Sequence, residues 1–259
     1  MSSEMDMSRH AFVLILNLLA RKNNNFSLLG DSDFIWVNFG PLLPSKYMRS
    51  DDDIRRAVNE WCEDPIKATK EYGHISKWNV SRVTNMNKLF CWTRELNNVS
   101  GVFNMKMLCR IRDFNEDISL WNVSGVTDMS SMFYMAAAFN GDLSKWDVSA
   151  ATDMSSMFHM AAAFNSDISV WDVSAVTNMS WMFFGAAKFN SDMSSWIVSA
   201  VSDMSYMFAG ATAFNKDIRS WIVSAVTNMK CMFNGAAAFN CDISSWDVSD
   251  VTDVYGMYG

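Results

Sequence analysis

A tryptophan that returns every 25 residues constrains the fold of this chain more than any other feature of its sequence. Around each tryptophan the same phrase is repeated, with a valine two residues later and a Met-Phe pair beginning eleven residues later. A fixed period of this length indicates a repeat architecture, in which each unit buries its apolar face against its neighbours. The regular tryptophans are Trp121, Trp146, Trp171, Trp196, Trp221 and Trp246.

Two earlier copies of the phrase precede the regular array. One starts at Trp78 and includes Val80, and a shortened copy includes Val99. These valines are 19 residues apart, and Val99 lies 24 residues before Val123, so the period is broken at both steps. The sequence therefore predicts a repeat domain over residues 78–259, with irregular first coils over residues 78–120 and regular coils over residues 121–259.

One repeat can be interpreted as one coil of a leucine-rich-repeat-like solenoid. Ile168, Trp171 and Val173 have the spacing of the leucines in L-x-x-L-x-L, which predicts a short parallel strand with Trp171 and Val173 pointing inward. Residues 180–187 contain Met, Phe and Ala but no Pro, which predicts a helical turn or short helix. The expected fold class is α/β: a solenoid of short parallel strands plus short helices or turns.

The amino-terminal part has another pattern, which predicts helices. Ser50, followed by Asp51, Asp52 and Asp53, is typical of a helix start with Ser50 as the N-cap. A Mg or Ca cluster at these aspartates is the alternative, although the run lacks the glycine and spacing of a calcium loop. Asp64 and the proline after it predict a second helix to about Tyr72.

These helices divide the amino-terminal part into two segments. We expect residues 50–77 to form a helical cap that leads into the solenoid, and residues 1–49 to form a separate helical region. Within residues 1–49, the phrase over residues 25–31 together with Trp36 resembles the second half of an F-box. That resemblance implies a module that docks onto a partner, and a plain helical cap at the solenoid end is the alternative.

Composition excludes several classes of partner. The formal net charge of −7 and the pI of about 4.9 argue against nucleic acid and anionic lipid, because both are bound through clustered Lys and Arg. No apolar run approaches the roughly 20 residues that a membrane helix needs, so we expect no membrane span. The partner that remains is a protein.

Residues that carry chemistry do not form a catalytic or metal-binding pattern. The five cysteines show no C-x-x-C spacing, and His10, His74 and His159 lie on separate segments. We therefore expect no enzymatic activity, no cofactor and no metal site. An odd number of cysteines favours a reducing, intracellular compartment, with the cell surface or secretion as the alternative.

Aspartates and methionines recur at fixed repeat positions and have structural interpretations. Asp142, Asp167, Asp192, Asp217 and Asp242 share one position, where turn hydrogen bonding is expected and a repeated cation site is the alternative. The methionines at another shared position are expected to pack in the core. They are Met129, Met154, Met179, Met204 and Met229.

Positions that vary on the outward side of the predicted strand are the candidates for recognition. Ile197 and Ile222 replace the Asp or Asn that other repeats carry, for example Asp172. The sequence predicts a small apolar patch there, ringed by carboxylates, with drift at a tolerant surface position as the alternative. The candidate partner-binding residues on this face are Val170, Asp172, Ser195, Ile197, Ser220 and Ile222.

A second candidate surface is an aromatic set on the predicted helical side of the coils. Trp181 and Tyr206 are its candidate partner-binding residues, and Tyr134 and Phe184 belong to the same set. The chain also stops without a polar terminal coil, and exposed solenoid ends favour stacking. We therefore expect end-to-end self-association through the carboxy-terminal coil, with a docked position in a larger assembly as the alternative.

The repeated Trp-Asp-Val-Ser and Met-Phe phrases resemble the repeats of the BspA-like leucine-rich-repeat surface proteins. The resemblance covers residues 50–259 and includes a leading segment, residues 53–62 and 73–78, like that of protist members. It implies a leucine-rich-repeat-like solenoid used for binding or adhesion, without a shared enzymatic activity. The sequence as a whole favours a non-catalytic interaction or scaffold protein, such as a subunit of a larger assembly, with an adhesin and an F-box-like adaptor as alternatives.

Overall fold

The computed structural model describes residues 45–91 and 111–257. The predicted helical region and the F-box-like phrase within residues 1–49 lie almost entirely outside these residues, as does the shortened repeat around Val99. The chain divides into two compact units, Met1–Met48 and Arg49–Gly259, and the architecture below is that of the second unit. None of the described helices is long and apolar enough to cross a bilayer.

The described elements before the repeats are short. A 3-10 helix (Ser45–Tyr47) is followed by strand β1 (Met48–Ser50), helix α1 (Ile54–Glu63) and helix α2 (Pro65–Tyr72). A second 3-10 helix (Ile75–Lys77) then leads into strand β2 (Asn79–Arg82), which pairs with β1 in a two-stranded sheet.

The helix starts follow the sequence prediction in one case and depart from it in the other. Asp64 caps α2 as predicted, since its carboxylate accepts hydrogen bonds from the amides of Ile66 and Lys67 at 3.1 Å. The prediction that Ser50 caps the first helix is wrong, because Ser50 ends β1 and α1 begins at Ile54. The Ser50 amide donates to Asp53 Oδ1 at 2.9 Å, and that hydrogen bond closes a turn between strand and helix.

Helix α1 packs against α2 and against the first coil of the repeat array. Its buried residues recur three and four positions apart, which places them on one face of the helix. The Trp61 ring meets the Trp78 ring edge-on at 6.2 Å, and Arg55 donates to the carbonyls of Asn85 and Asn87. The buried face consists of Ile54, Ala57, Val58, Trp61 and Cys62.

Successive repeats stack in parallel, each paired with the next through the backbone. One residue per coil forms a parallel bridge to its equivalent in the neighbouring coil. Alternate amides then extend the ladder: Trp181 donates to the Ser205 carbonyl at 2.8 Å and Phe183 to the Met207 carbonyl at 2.9 Å. The bridge residues are Asn85, Asp128, Asp153, Asn178, Asp203, Asn228 and Asp253.

The coil that begins at Trp78 pairs directly with the coil that begins at Trp121. Asn85 bridges Asp128, and the two indole rings stack with centroids 6.3 Å apart. Residues 92–110, which contain the shortened copy around Val99, lie outside the described residues. Residues 111–120 complete the first coil, since Phe114 stacks on Phe90 at 4.1 Å.

The predicted strand over residues 168–173 is absent, because amides that a ladder would need donate to acceptors within their own turns instead. The Trp171 amide donates to the Ile168 carbonyl of its own coil, and the Val176 amide donates to the Val173 carbonyl. Asp167 and Asp172 side chains accept from the amides two residues later, and side-chain bonds of this kind compete with a ladder. The prediction that Trp171 and Val173 point inward is nevertheless confirmed, since both are buried.

Of the two alternatives predicted for residues 180–187, the short helix is absent and the chain forms turns. Trp181 and Gly185 have φ values of 61° and 64°, in the left-handed region that interrupts a right-handed helix. Amides alternate in their partners there: those of Met182 and Phe184 close tight turns within the coil, while those of Trp181 and Phe183 donate to the next coil. The chain therefore turns continuously through this segment, and these backbone amides still find hydrogen-bond acceptors.

Stacked side chains fill the interior between the two turning edges of each coil. Equivalent phenylalanines of neighbouring coils lie nearly parallel, as with Phe158 and Phe183 at 5.7 Å. Within a coil, Phe158 stacks on Phe164 at 3.7 Å. The predicted packing of the repeated methionines in the core is confirmed, because Met129, Met154, Met179, Met204 and Met229 are all fully buried.

The carboxylate of Asp51 accepts backbone hydrogen bonds from the first coil. In every later coil the equivalent amide donates to a carbonyl of the preceding coil. In the regular coils a Thr or Ser amide donates to the carbonyl of the equivalent residue one coil earlier, as Thr152 does to Thr127. At the first coil, the amides of Thr84 and Asn85 donate instead to Asp51 Oδ1, at 2.9 and 3.0 Å, and the Thr84 hydroxyl donates to Oδ2 at 2.6 Å. The segment before α1 therefore caps the array.

We expect Asp51→Ala to lower the free energy of unfolding by about 1 kcal/mol at neutral pH, as for loss of a helix N-cap. Burial disfavours the charged form, but the hydrogen bonds from Thr84 and Asn85 outweigh it and hold the pKa of Asp51 below its ordinary value. The stabilisation is then complete above the unfolded pKa of about 4 and is lost as pH falls through the lower folded pKa.

Urea denaturation at a series of pH values measures this effect. The deficit of Asp51→Ala should be constant near neutrality and should shrink in acid. Asp52→Ala removes an equally exposed neighbouring carboxylate and should leave stability unchanged. An equal loss in both variants would contradict the capping role.

Candidate interaction surface

One edge of the coils consists of two consecutive turns, and in most coils each turn is held by a side chain. In the coil of Trp171, Asp167 Oδ1 accepts the Ser169 amide at 2.9 Å, and Asp172 Oδ1 accepts the Ser174 amide at 3.0 Å. We call this the turn edge; it covers residues 167–175 and their equivalents in the other coils. Its polar side chains face solvent on both sides of the buried tryptophan, whereas Ile168 and Val173 point into the core.

Ile197 and Ile222 occupy the position at which the second of these turns is normally held by an acceptor. Asp147, Asp172 and Asp247 each accept the amide of the serine two residues later, and Asn122 does the same. An isoleucine side chain cannot accept this hydrogen bond. The two isoleucines therefore remove a bond that the equivalent residues make.

The isoleucines are also exposed, together with one valine. Ile197 is 60% exposed, Ile222 63% and Val170 68%. Because Ile197 and Ile222 each follow one of two stacked tryptophans, whose ring centroids are 6.5 Å apart, they lie on adjacent coils. We call Val170, Ile197 and Ile222 the isoleucine patch; the structure places all three on the turn edge.

The polar candidates of this edge have structural roles. The Ser195 hydroxyl donates to the Ser169 carbonyl at 2.8 Å, and the Ser220 hydroxyl donates to the Ser194 carbonyl at 3.0 Å. Both serines therefore link neighbouring coils. The hydroxyl and amide of Ser174 hold the pKa of Asp172 below its ordinary value, so this carboxylate is ionised at neutral pH.

The repeated aspartates at the first turn behave in the same way. Hydrogen bonds from the residue two positions later lower the pKa of Asp142, Asp167, Asp192, Asp217 and Asp242. This agrees with the expected turn bonding. Within residues 45–91 and 111–257, no group of three His, Cys, Asp or Glu side chains is arranged to hold a metal ion.

The aromatic set forms a half-buried row along the other edge of the coils. Trp181 stacks on Tyr206 with ring centroids 3.9 Å apart, so the structure brings these two candidates together. Tyr134 and Phe184 are joined through His159, whose ring stacks between them at 4.4 and 4.7 Å. A hydrogen bond with Cys231 raises the pKa of Tyr206.

His159 is the residue that sequence reasoning missed. It occupies the same repeat position as Tyr134 and Phe184, and that shared position is the signal that could have identified it. Its Nδ1 is buried with no hydrogen-bond partner among the residues that the structure describes. Burial lowers the pKa of His159 to about 4, so the ring is neutral near pH 7.

The repeats of this chain match a known family. A model described as Mycoplasma protein of unknown function, DUF285, matches residues 65–169 and again residues 162–259. The chain belongs to this family. No curated protein and no solved structure matches the chain.

The two DUF285 matches place the candidate surfaces inside the family's repeat region. The second match contains the whole isoleucine patch, and the two matches together contain the aromatic row. Both surfaces are therefore local departures within a DUF285 repeat array. The family description assigns no function to either.

His159→Phe introduces the residue found at the equivalent position 184. This substitution should reduce the loss of folding stability that this DUF285 protein shows in acid. A folded pKa of about 4 lies below the unfolded value of about 6.5, so the stability linked to the neutral ring is complete above pH 6.5. That stability is lost as pH falls towards 4, by on the order of 1–2 kcal/mol after allowing for solvent around the half-buried ring.

Urea midpoints of the wild type and His159→Phe between pH 7 and pH 4 measure this loss. The wild-type stability should fall more steeply than that of the variant. Tyr134→Phe changes a neighbouring ring but keeps the histidine, so it should retain the wild-type slope. Parallel slopes for the wild type and His159→Phe would contradict the assignment.

Proposed function

We propose that this chain is a non-catalytic interaction or scaffold protein that binds a partner protein through the isoleucine patch. One observation carries the proposal: Ile197 and Ile222 are largely exposed at a position where the equivalent Asp or Asn makes a turn hydrogen bond. Each isoleucine leaves apolar surface in water and removes a bond, and neither effect stabilises the coil. A partner that covers the patch would offset both costs.

We propose that the array is a leucine-rich-repeat-like α/β solenoid of the BspA-like type. Parallel bridges between neighbouring coils, inward tryptophans and the match to the DUF285 family support this assignment. Each described coil contributes one bridge residue where leucine-rich repeats contribute a longer strand. In such an architecture every coil contributes an outward edge, and a partner contacts several coils at once.

The double substitution Ile197→Asp with Ile222→Asp tests the binding proposal. Aspartate restores the acceptor that the equivalent coils have, so the free energy of unfolding should stay the same or rise by a few tenths of a kcal/mol per site. Partner capture should be lost, because two charges then occupy the apolar contact. Urea denaturation measures the first effect, and quantitative affinity capture with the full chain measures the second.

Ile197→Val with Ile222→Val is the matched control, because it keeps an apolar side chain at both positions. This variant should retain the proteins that co-purify with the wild type. Capture that survives the aspartate substitutions unchanged would overturn the proposal. A large loss of stability in the aspartate variant would contradict the turn argument itself.

We further propose that the edge of the last described coil takes part in end-to-end stacking. Val254 is 54% exposed and Tyr255 is 76% exposed, whereas Met229, which is equivalent to Val254 in the preceding coil, is fully buried. A second copy stacked on this edge would cover these side chains as neighbouring coils do elsewhere in the array.

Light scattering over a range of protein concentrations tests this stacking. The wild type should show concentration-dependent association, and Val254→Lys with Tyr255→Lys should weaken it by placing charges on the exposed edge. Ile66→Lys changes a side chain that is 74% exposed on α2, and it should have no effect. A wild type that stays monomeric at high concentration would contradict the proposal.

A further inference from the structure

We propose that the isoleucine patch receives a basic, apolar segment of its partner: aliphatic or aromatic side chains that cover the patch, flanked by Lys or Arg that meet the aspartates around it. This inference rests on the proposed function and adds the chemistry of the partner. The argument depends on the charges of the turn edge, the hydrogen bonds that fix them and the size of the patch.

The turn edge around the patch carries almost exclusively negative charge. In the coil before Ile197 the edge contains Asp167 and Asp172, and in the coil after Ile222 it contains Asp242, Asp247 and Asp250. The coils of the isoleucines themselves add Asp192 and Asp217, and Arg219 is the one cation within these edge segments, with Lys216 directly before the segment that starts at Asp217. Clustered charge of one sign raises the local concentration of an oppositely charged partner and speeds its association.

The aspartates that hold the turns of this edge stay ionised and are fixed in position by those turns. Hydrogen bonds from Ser174 and Ser249 lower the pKa values of Asp172 and Asp247, which occupy the same repeat position as the isoleucines. An amide donor from Ser194 acts in the same way on Asp192. A carboxylate has about four acceptor sites, so one that holds a turn can still accept a bond from Lys or Arg.

Arg219 does not reverse the sign of this surface. Its guanidinium Nε lies 3.0 Å from Asp217 Oδ1, so its charge is balanced within its own coil. Both side chains are more than half exposed, and such a surface pair contributes little to stability. The remaining carboxylates on either side of the patch keep their negative charge.

The turn edge of a second copy of this chain does not fit the patch. It would bring the same aspartates to face Asp172 and Asp247, and like charges at an interface disfavour association. Three exposed side chains also cover far less than the roughly 800 Å² per partner of a stable interface between two folded proteins. A short segment that combines apolar and basic side chains matches both the size and the sign of this surface.

Fluorescence anisotropy with labelled synthetic peptides tests the inference on the full chain. The probes carry two leucines near the centre and differ in the flanking residues, which are Lys, Gln or Glu. At low ionic strength the Lys-flanked peptide should bind about tenfold more tightly than the Glu-flanked one, and the difference should shrink at about 1 M salt.

Two variants separate specific recognition from general attraction of a basic peptide. Asp172→Asn with Asp247→Asn should keep both turns, since Asn122 holds the equivalent turn in its own coil. This variant should bind the Lys-flanked peptide roughly threefold or more weakly than the wild type does. Ile197→Asp with Ile222→Asp adds negative charge but removes the apolar contact. The proposal requires weaker binding by this variant, whereas attraction by net charge alone would make the binding tighter.

The outcomes distinguish the two levels of the proposal. Suppose that the Gln- or Glu-flanked peptide binds best and that Ile197→Asp with Ile222→Asp abolishes its binding. The patch is then a contact site, but the proposal that its partner is basic is wrong. If the Lys-flanked peptide shows no measurable binding, the basic partner is likewise wrong. If no peptide's affinity depends on the isoleucines, both the basic partner and the patch as a contact site are wrong.

Discussion

The contact of each tryptophan with the preceding coil is the interaction on which the rest of the structure depends. The ring is buried among apolar side chains, and its indole N–H donates to a carbonyl of the coil before it, as Trp171 does to Leu143 at 3.1 Å. The same bond recurs at every regular tryptophan. A phenylalanine could fill much of the space but would lose this hydrogen bond between coils, and the Leu143 carbonyl would keep only the Trp146 amide of its own coil as a donor. Packing and hydrogen bonding therefore fix the spacing of the coils together.

The need of every buried backbone amide for a hydrogen-bond acceptor explains why the coils contain turns instead of longer strands and helices. A buried amide needs an acceptor, and each coil finds acceptors in three places: its own carbonyls, the carbonyls of adjacent coils, and aspartate or asparagine side chains. Left-handed residues such as Trp181, with φ of 61°, let consecutive amides point alternately along the coil and towards the next one. At the first coil Asp51 replaces a neighbour as acceptor, so the same requirement also shapes the cap.

The repeat period, the inward position of Trp171 and Val173, and the start of α2 at Asp64 could be predicted because each depends on a local pattern. The strand over residues 168–173 could not be, since the hydropathy pattern does not show that Asp167 and Asp172 take up the amides a ladder needs. The exposed Ile197 could be chosen from sequence, whereas the burial and ring stacking of His159 are visible only in the structure, although its repeat position is shared with Tyr134.

Because these turn hydrogen bonds are made within a single coil, a uniform array can carry a specific surface. Because Asp172 holds a turn within its own coil, the loss of its equivalent at Ile197 affects one turn and leaves the tryptophan bond and the inter-coil ladder intact. Core positions such as Met204 have no such freedom, since they contact the coils on both sides. Recognition in an array of this kind is therefore expected where an exposed turn position departs from the repeated residue. Ile197 and Ile222 are two such departures on adjacent coils.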